Sequence, residues 1–255
     1  MQEELEQILA DVAAGRRSTR DAAAALRGLG YVGVGDFARL DVTRERRAGV
    51  PEIVFAESKS VEELVTIVGR YLERAETVLC SRTNAEQAAA VAQRHGLSEY
   101  DPRSRVLTVR RADAAPPAAR GVAGVLAAGT GDVGVAEEAA AVCRAMGVTV
   151  VTAYDVGVAG LHRLLGPLEE LRSAGAAAIV VAAGMEGALP SVVAGLVDVP
   201  VIGLPTSVGY VLGGRGEAAL LGMLQSCTPG LVVVNIDNGV GAGATAALIA
   251  RRAAG

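Results

Sequence analysis

Four acidic residues, each placed just after a short apolar run, carry the first chemical signature of this chain. Asp132 closes Gly129-Thr130-Gly131-Asp132, Asp155 follows Tyr154, Glu186 follows Gly184-Met185, and Asp237 lies in Asn235-Ile236-Asp237-Asn238. Carboxylates grouped in this way can do acid–base work. Around them stand groups that suit anions. Gly129-Thr130 opens a helix, where backbone N–H groups and the helix dipole favour phosphate, and Thr206-Ser207 offers two hydroxyls beside Gly209. A third kind of chemistry rests on Cys227, just ahead of the run Leu231 to Val234. By type alone a free cysteine is a buried filler more often than a nucleophile, and the residues around Cys227 leave both readings open.

The elements that must position these groups form a regular series. Strand-like runs at 122–128, 148–153, 176–182, 199–204 and 231–236 alternate with helical patterns at 134–146, 159–173, 187–196, 216–226 and 241–252. Such alternation with short connections predicts a five-stranded parallel sheet with helices on both faces and right-handed crossovers. All the polar clusters then fall at the carboxyl ends of strands, where open α/β sheets bind ligands.

A smaller helical or α+β domain precedes this unit. Helical stripes cover 2–14 and a stretch from Ser18 to Leu26 that Gly28 and Gly30 stop. Ser60 with Glu63 makes a capping box, Asn84 with Gln87 opens another helix, and strands are expected at 78–81 and 105–110. The charged stretch 37–59, with Arg46 and Arg47, reads either as solvated surface or as an arm bringing cations to an anionic ligand. Residues 112–119, with Pro116-Pro117, form the linker candidate, so the domains expected are 1–115 and 116–255.

Composition narrows the function. A net charge of −4 and 3% aromatic residues argue against nucleic acid, which calls for basic patches and stacking platforms. No apolar run is long enough for a bilayer span, and the acidic start after Met1 does not resemble a secretory leader. Cys80, Cys143 and Cys227 are widely spaced without a CxxC motif, as expected for a reducing cytoplasm. Cys80 and Cys143 read as core. With two histidines, any metal is expected to be a hard ion on carboxylate and phosphate oxygens.

Ordered blocks of sequence then carry a family resemblance. The turn 129–132, the loop 183–190 and the run Pro200-Val201-Ile202-Gly203-Leu204-Pro205 are similar to the phosphoribosyl-aminoimidazole carboxylase fold, a flavodoxin-like architecture. That family carries His-Arg after its second strand, whereas here the place reads Tyr154-Asp155. A closer resemblance spans nearly the whole chain. Blocks at 40–52, 135–139, 154–163, 184–190, 205–210, 218–227 and 234–239 resemble the lactate racemase maturation carboxylases, the pyridinium-3,5-biscarboxylic acid mononucleotide synthases of nickel-pincer nucleotide biosynthesis. The family turn Gly-Thr-Ser-Asp has glycine here at position 131.

The resemblance implies carboxylation of nicotinic acid adenine dinucleotide at pyridinium C5, using CO2 or bicarbonate, with cleavage of the phosphoanhydride and release of AMP. It makes Cys227 the nucleophile; the carboxylates at the strand ends then offer a base for the C5 proton, with Glu186 the candidate and Asp132 or Asp155 the alternatives. Gly129, Thr130, Tyr154, Asp155, Gly184, Met185, Thr206, Ser207, Asn235, Asp237 and Asn238 would line the substrate site, with Arg46 and Arg47 on its anionic groups. No organic cofactor is expected, because the dinucleotide is substrate. Mg²⁺ is expected at the anhydride step, and a homo-oligomer, an octamer by analogy with the related fold, is implied. Two alternatives remain beside this reading: a purine-pathway carboxylase or mutase acting on aminoimidazole ribonucleotide, and a nucleotide-binding module without chemistry.

Overall fold

The structure, a computed structural model, describes residues 2–28 and 31–255. The chain begins with α1 (Gln2–Ala13) and α2 (Thr19–Gly28), and Gly30, expected to stop the second helix, lies outside the described residues. A two-stranded antiparallel hairpin, β1 (Val32–Val34) and β2 (Ala38–Leu40), follows. Then come α3 (Arg44–Ala48), β3 (Ile53–Phe55), α4 (Val61–Leu72), β4 (Thr77–Ser81), α5 (Ala85–Arg94), β5 (Leu97–Asp101) and β6 (Val106–Arg110).

Both expected N-caps form. Ser60 Oγ accepts the Glu63 N–H at 3.2 Å while Glu63 returns a bond to the Ser60 N–H, and Asn84 and Gln87 do the same. Each cap is worth about 1 kcal/mol. The charged stretch is less irregular than expected, since it contains the hairpin strand β2, the short helix α3 and β3. Gly49 ends α3 in the left-handed conformation. Strand β5 was not expected either. It is an edge strand of sequence Leu-Ser-Glu-Tyr-Asp, only half covered, so its apolar content is too low to announce it.

Strands β3, β4, β6 and β5 lie in that order in a mixed four-stranded sheet. One face packs on α4 and α5 around Leu64, Ile67, Val68 and Leu107. From the other face Leu79 and Val106 enter the core of the second unit. Residues 114–121 then run without helix or strand.

The second unit is the expected alternation: β7 (Val122–Ala127), α6 (Val133–Ala145), β8 (Thr149–Tyr154), α7 (His162–Ser173), β9 (Ile179–Ala183), α8 (Leu189–Ala194), β10 (Val201–Pro205), α9 (Glu217–Leu224), β11 (Leu231–Val233) and α10 (Gly239–Ala253). Its five strands are all parallel, in the order β11-β10-β9-β7-β8. Alanine- and glycine-rich α6 and α10 cover one face. They pack so closely that a β-carbon on Gly243 would lie 2.3 Å from the Ala139 carbonyl oxygen. Helices α7, α8 and α9 cover the other face. Among the described residues no helix is long and apolar enough to cross a membrane.

From β7 the chain crosses to β8 on one side, and then to β9, β10 and β11 on the other. The order therefore reverses between β7 and β9, and in open α/β sheets that switch point is where the ligand crevice lies, at the carboxyl ends of the strands.

Candidate active site

The loops after β7, β9, β10 and β11 meet at this crevice, and their centre is Asp132. A single turn of 3-10 helix, Thr130–Asp132, swings its carboxylate back under the loop. One oxygen accepts the Gly129 N–H at 2.9 Å and the other accepts the Thr206 hydroxyl at 2.5 Å. Thr206 is fully buried. Burial raises the Asp132 pKa above the usual aspartate range. The Thr206, Gly129 and Gly184 donors pull it back, and the nearby Asp237 charge raises it further. The turn was expected to hold an anion with its own N–H groups, but the protein's own carboxylate occupies the Gly129 N–H.

Gly184 brings the β9 loop into contact. A β-carbon there would sit 2.2 Å from the Val208 carbonyl oxygen and 2.8 Å from Thr206 Oγ1, so only glycine fits. The next residue, Met185, donates its N–H to that Val208 carbonyl at 2.9 Å and takes a left-handed φ of 55°. Met185 and Glu186 are both exposed, and with Tyr210, Leu212 and Ala218 they line an open cavity of about 430 Å³. A β-carbon on Gly131 would approach Val208 Cγ1 at 3.1 Å. The glycine in place of the family's serine therefore matches the valine packed over it.

Asp237 knits the last two loops. Its N–H donates to the Pro205 carbonyl at 2.9 Å, its carboxylate accepts the Ser207 N–H at 2.9 Å, and its φ of 54° is left-handed. Asn238 is committed to structure: its side chain accepts the Gly241 N–H at 2.8 Å and caps α10. Asn235 is exposed, its side-chain oxygen accepting the Ile236 N–H at 2.9 Å.

Tyr154 and Asp155 lie at the edge of this group, after β8. The Tyr154 hydroxyl donates to Glu137 on α6 at 2.5 Å, and burial with that carboxylate pushes its pKa up to about 12. Asp155, at φ 58°, pairs with Arg163 at 2.6 Å. The resemblance had put both on the substrate, and each already has a protein partner.

Three expected site residues lie elsewhere in the chain. Arg47 pairs with Asp41 at 2.6 Å, and Arg46 lines a cavity of about 270 Å³ with Tyr71, Pro117 and Ala145. Ala145 ends α6, and Gly49, just after α3, packs on Leu248 near the end of α10. Helices of a parallel sheet run back from the carboxyl edge, so Arg46 and Arg47 sit at the amino edge, away from Asp132.

Cys227 sits at the amino edge too, on the other face. It falls between the end of α9 and the start of β11. Its neighbour Ser226 accepts a bond from Ser191 of α8 at 2.8 Å. Leu231, four residues on, pairs with Val201 at the beginning of β10, whereas Thr206 follows the end of that strand. At about 3.3 Å per strand residue, Cys227 and Thr206 are on the order of 15 Å apart. A residue preceding a parallel strand emerges at the opposite edge from one that follows it, so within one chain Cys227 lies apart from the polar end of β11. Cys227 is exposed, while Cys80 and Cys143 are buried and burial pushes both thiols up to about 12.

One residue at the crevice escaped the sequence reading. Arg82, just after β4, donates to Glu138 at 3.2 Å and to the Asp237 carbonyl at 2.6 Å. The signal was present, since Arg82 follows a strand end as the others do. The expected Mg²⁺ calls for one protein carboxylate beside substrate phosphate oxygens, not for a cluster of protein ligands. Among the described residues no group of three or more His, Cys, Asp or Glu could hold a metal ion. Asp132 and Asp237 are each already engaged by N–H or O–H donors.

Residues 31–111 match the LarB/PurE-like N-terminal domain, and residues 122–254 match AIR carboxylase. An uncharacterized protein of Methanocaldococcus jannaschii is 42% identical over 218 residues, covering 84% of each chain. Both matched domains support a carboxylase-type enzyme. A LarB/PurE-like first domain followed by an AIR carboxylase domain places this chain in the LarB family.

Proposed function

We propose that this chain carboxylates nicotinic acid adenine dinucleotide at pyridinium C5 and hydrolyses its phosphoanhydride, one water adding across the P–O–P bond, giving pyridinium-3,5-biscarboxylic acid mononucleotide and AMP. The observation that carries the reading is the combination of one accessible thiol, Cys227, with a crevice of buried carboxylate, hydroxyl and glycine loops at the switch point. The pyridinium ring is electron-poor and does not attack CO2. Addition of the Cys227 thiolate to C4 gives a dihydropyridine whose C5 is enamine-like and nucleophilic. A carbon–carbon bond to CO2 forms there. The C5 proton passes to a base, for which exposed Glu186 is the candidate, and expulsion of the thiolate restores the aromatic ring. Cys227 lies just beyond the C-terminus of α9, where the helix dipole disfavours an anion. The cationic pyridinium supplies the compensating charge. No step is assigned to Mg²⁺.

Distance within one chain makes the reading oligomeric. Cys227 and Asp132 serve one substrate when a second copy brings its Cys227 to the first copy's crevice. Leu221 and Leu224 on α9, 64% and 62% exposed, and half-exposed Val232 on β11 provide apolar surface near Cys227 for such a contact. The reducing cytoplasm is the compartment that keeps the thiol free.

The test is incubation with nicotinic acid adenine dinucleotide and labelled bicarbonate. Labelled dicarboxylated mononucleotide and equimolar AMP are expected. Tight dinucleotide binding without label uptake would overturn the reading in favour of a binding module. The AIR carboxylase match favours one second reading, and turnover of aminoimidazole ribonucleotide would establish it.

A further inference from the structure

Arg82 carries the first domain to the crevice. Arg82 leaves β4 with a left-handed φ of 56°, a conformation that side chains with a β-carbon rarely adopt. It is held there from its own domain: the Arg105 guanidinium donates to the Arg82 carbonyl at 3.0 Å, and the Thr83 N–H donates to the Arg105 carbonyl at 2.9 Å. Backbone strain of this kind persists where the surroundings over-determine it.

The direction it imposes is specific. Arg82 Nε donates to Glu138 of α6, and a terminal nitrogen donates to the carbonyl of Asp237. Glu138 is buried, and its carboxylate also accepts the Gly239 and Val240 N–H groups that open α10. A β-carbon on Gly239 would lie 2.6 Å from Glu138 Oε2, so no larger residue fits between them. Asp237 is itself left-handed, and its carboxylate holds the Ser207 N–H while its own N–H holds the Pro205 carbonyl. Two non-glycine residues in a sparsely populated conformation, one from each domain, are therefore joined by a single 2.6 Å charge-assisted bond.

We infer that Arg82 is a positioning residue for the crevice: it fixes Asp237, and through it the Ser207 loop, in the form that receives the substrate's anionic groups. The first domain then contributes to the site by holding its loops. Only the substrate part of this inference rests on the dinucleotide reading; the ordering of the two loops does not.

A second cross-domain bond provides the control. Arg251 of α10 donates to the Gly49 carbonyl at 3.2 Å, at the amino edge and away from the crevice. Backbone hydrogen exchange is measured in the full chain for wild type, Arg82→Ala, Arg82→Lys and Arg251→Ala, and binding of the dinucleotide is measured by calorimetry. Arg82→Ala is expected to speed exchange of the Ser207 and Asp237 amides by about tenfold or more, the scale of a lost charge-assisted bond. Arg82→Lys restores part of that protection, and Arg251→Ala leaves both amides as in wild type. A matching loss of dinucleotide affinity is expected in Arg82→Ala alone. Unchanged exchange at Ser207 and Asp237 in Arg82→Ala, or the same rise in Arg251→Ala, overturns the inference. Should Arg82→Ala fail to fold, Arg82→Lys with wild-type exchange and a wild-type affinity would support a purely structural role and overturn it too. Normal exchange effects in a protein that takes up no labelled bicarbonate would sink the dinucleotide reading and leave the positioning role standing.

Discussion

The hydroxyl of Thr206, at the end of β10, donates to Asp132, at the end of β7, across 2.5 Å. Strand β9 lies between those two strands, so this bond spans the crevice and ties its walls together. Thr206 is fully buried and Asp132 nearly so. Replacing Thr206 by valine keeps the volume and leaves a buried carboxylate short of a donor. Thr206→Val is expected to cost about 2 kcal/mol, within the range for hydrogen bonds to charged groups, and Thr206→Ser to recover most of it. Denaturant unfolding of the three proteins checks this.

Burial raises the folded-state pKa of both Asp132 and Glu138. A carboxyl raised on folding contributes stability that is fully present below its unfolded value and is lost as pH rises through the folded value. The window therefore opens above the ordinary aspartate value of 3.8. Asp11, Asp41, Asp101 and Asp113 are lowered on folding, so their stabilisation is lost only as pH falls below that value. The expected result is that wild type loses stability relative to Asp132→Asn as pH is raised from 3.8 upward. Parallel melting curves measure the difference, and a constant difference would count against it.

Of the chain's three cysteines only Cys227 is open to solvent. A maleimide or iodoacetamide should label a single thiol in the native protein and none in Cys227→Ala, as read by intact mass. The labelling rate of the free protein sets the reference. Bound dinucleotide should change that rate. Carboxylation by Cys227→Ala at the wild-type rate would refute the covalent route.

If one copy supplies Cys227 and another supplies Asp132, two inactive variants should rescue each other. Cys227→Ala and Asp132→Asn, mixed and allowed to exchange subunits, are expected to regain activity that neither has alone. For a dimeric pair, random mixing leaves about a quarter of the sites intact. No recovery after verified exchange would place the thiol and the carboxylate in one chain's site.

Gly131 and Val208 are matched in size. Gly131→Ser brings a β-carbon to 3.1 Å from Val208 Cγ1, so it should lower stability modestly, by about 1 kcal/mol. Val208→Ala in the same chain should relieve the contact. Gly184→Ala is different in kind, because its β-carbon meets the backbone at 2.2 Å and no side chain can move aside. It should cost more than Gly131→Ser and resist rescue by Val208→Ala, as thermal melts would show.

The sequence by itself determined the five strand–helix units, the carboxyl-end crevice and its members Asp132, Gly184, Thr206, Ser207 and Asp237. These follow from local periodicity and from the rule that loops after parallel strands share an edge, neither of which needs distant contacts. The caps of α4 and α5 were legible for the same reason, since each closes within three residues. Tertiary structure decided what depends on long separations. Arg82 reaches Asp237 across 155 positions and Glu138 across 56, and no local pattern encodes such a partner. Strand β5 stays silent because an exposed edge buries too little apolar surface to leave a pattern. Arg46 and Arg47 looked like ligand-binding cations because a run of charge carries no address, and packing put them at the far edge. Cys227 shows the division most plainly. The family resemblance, not its type or neighbours, assigned its chemistry, and only the direction of α9 and β11 fixed which edge of the sheet it occupies, and so whether one chain can hold the whole site.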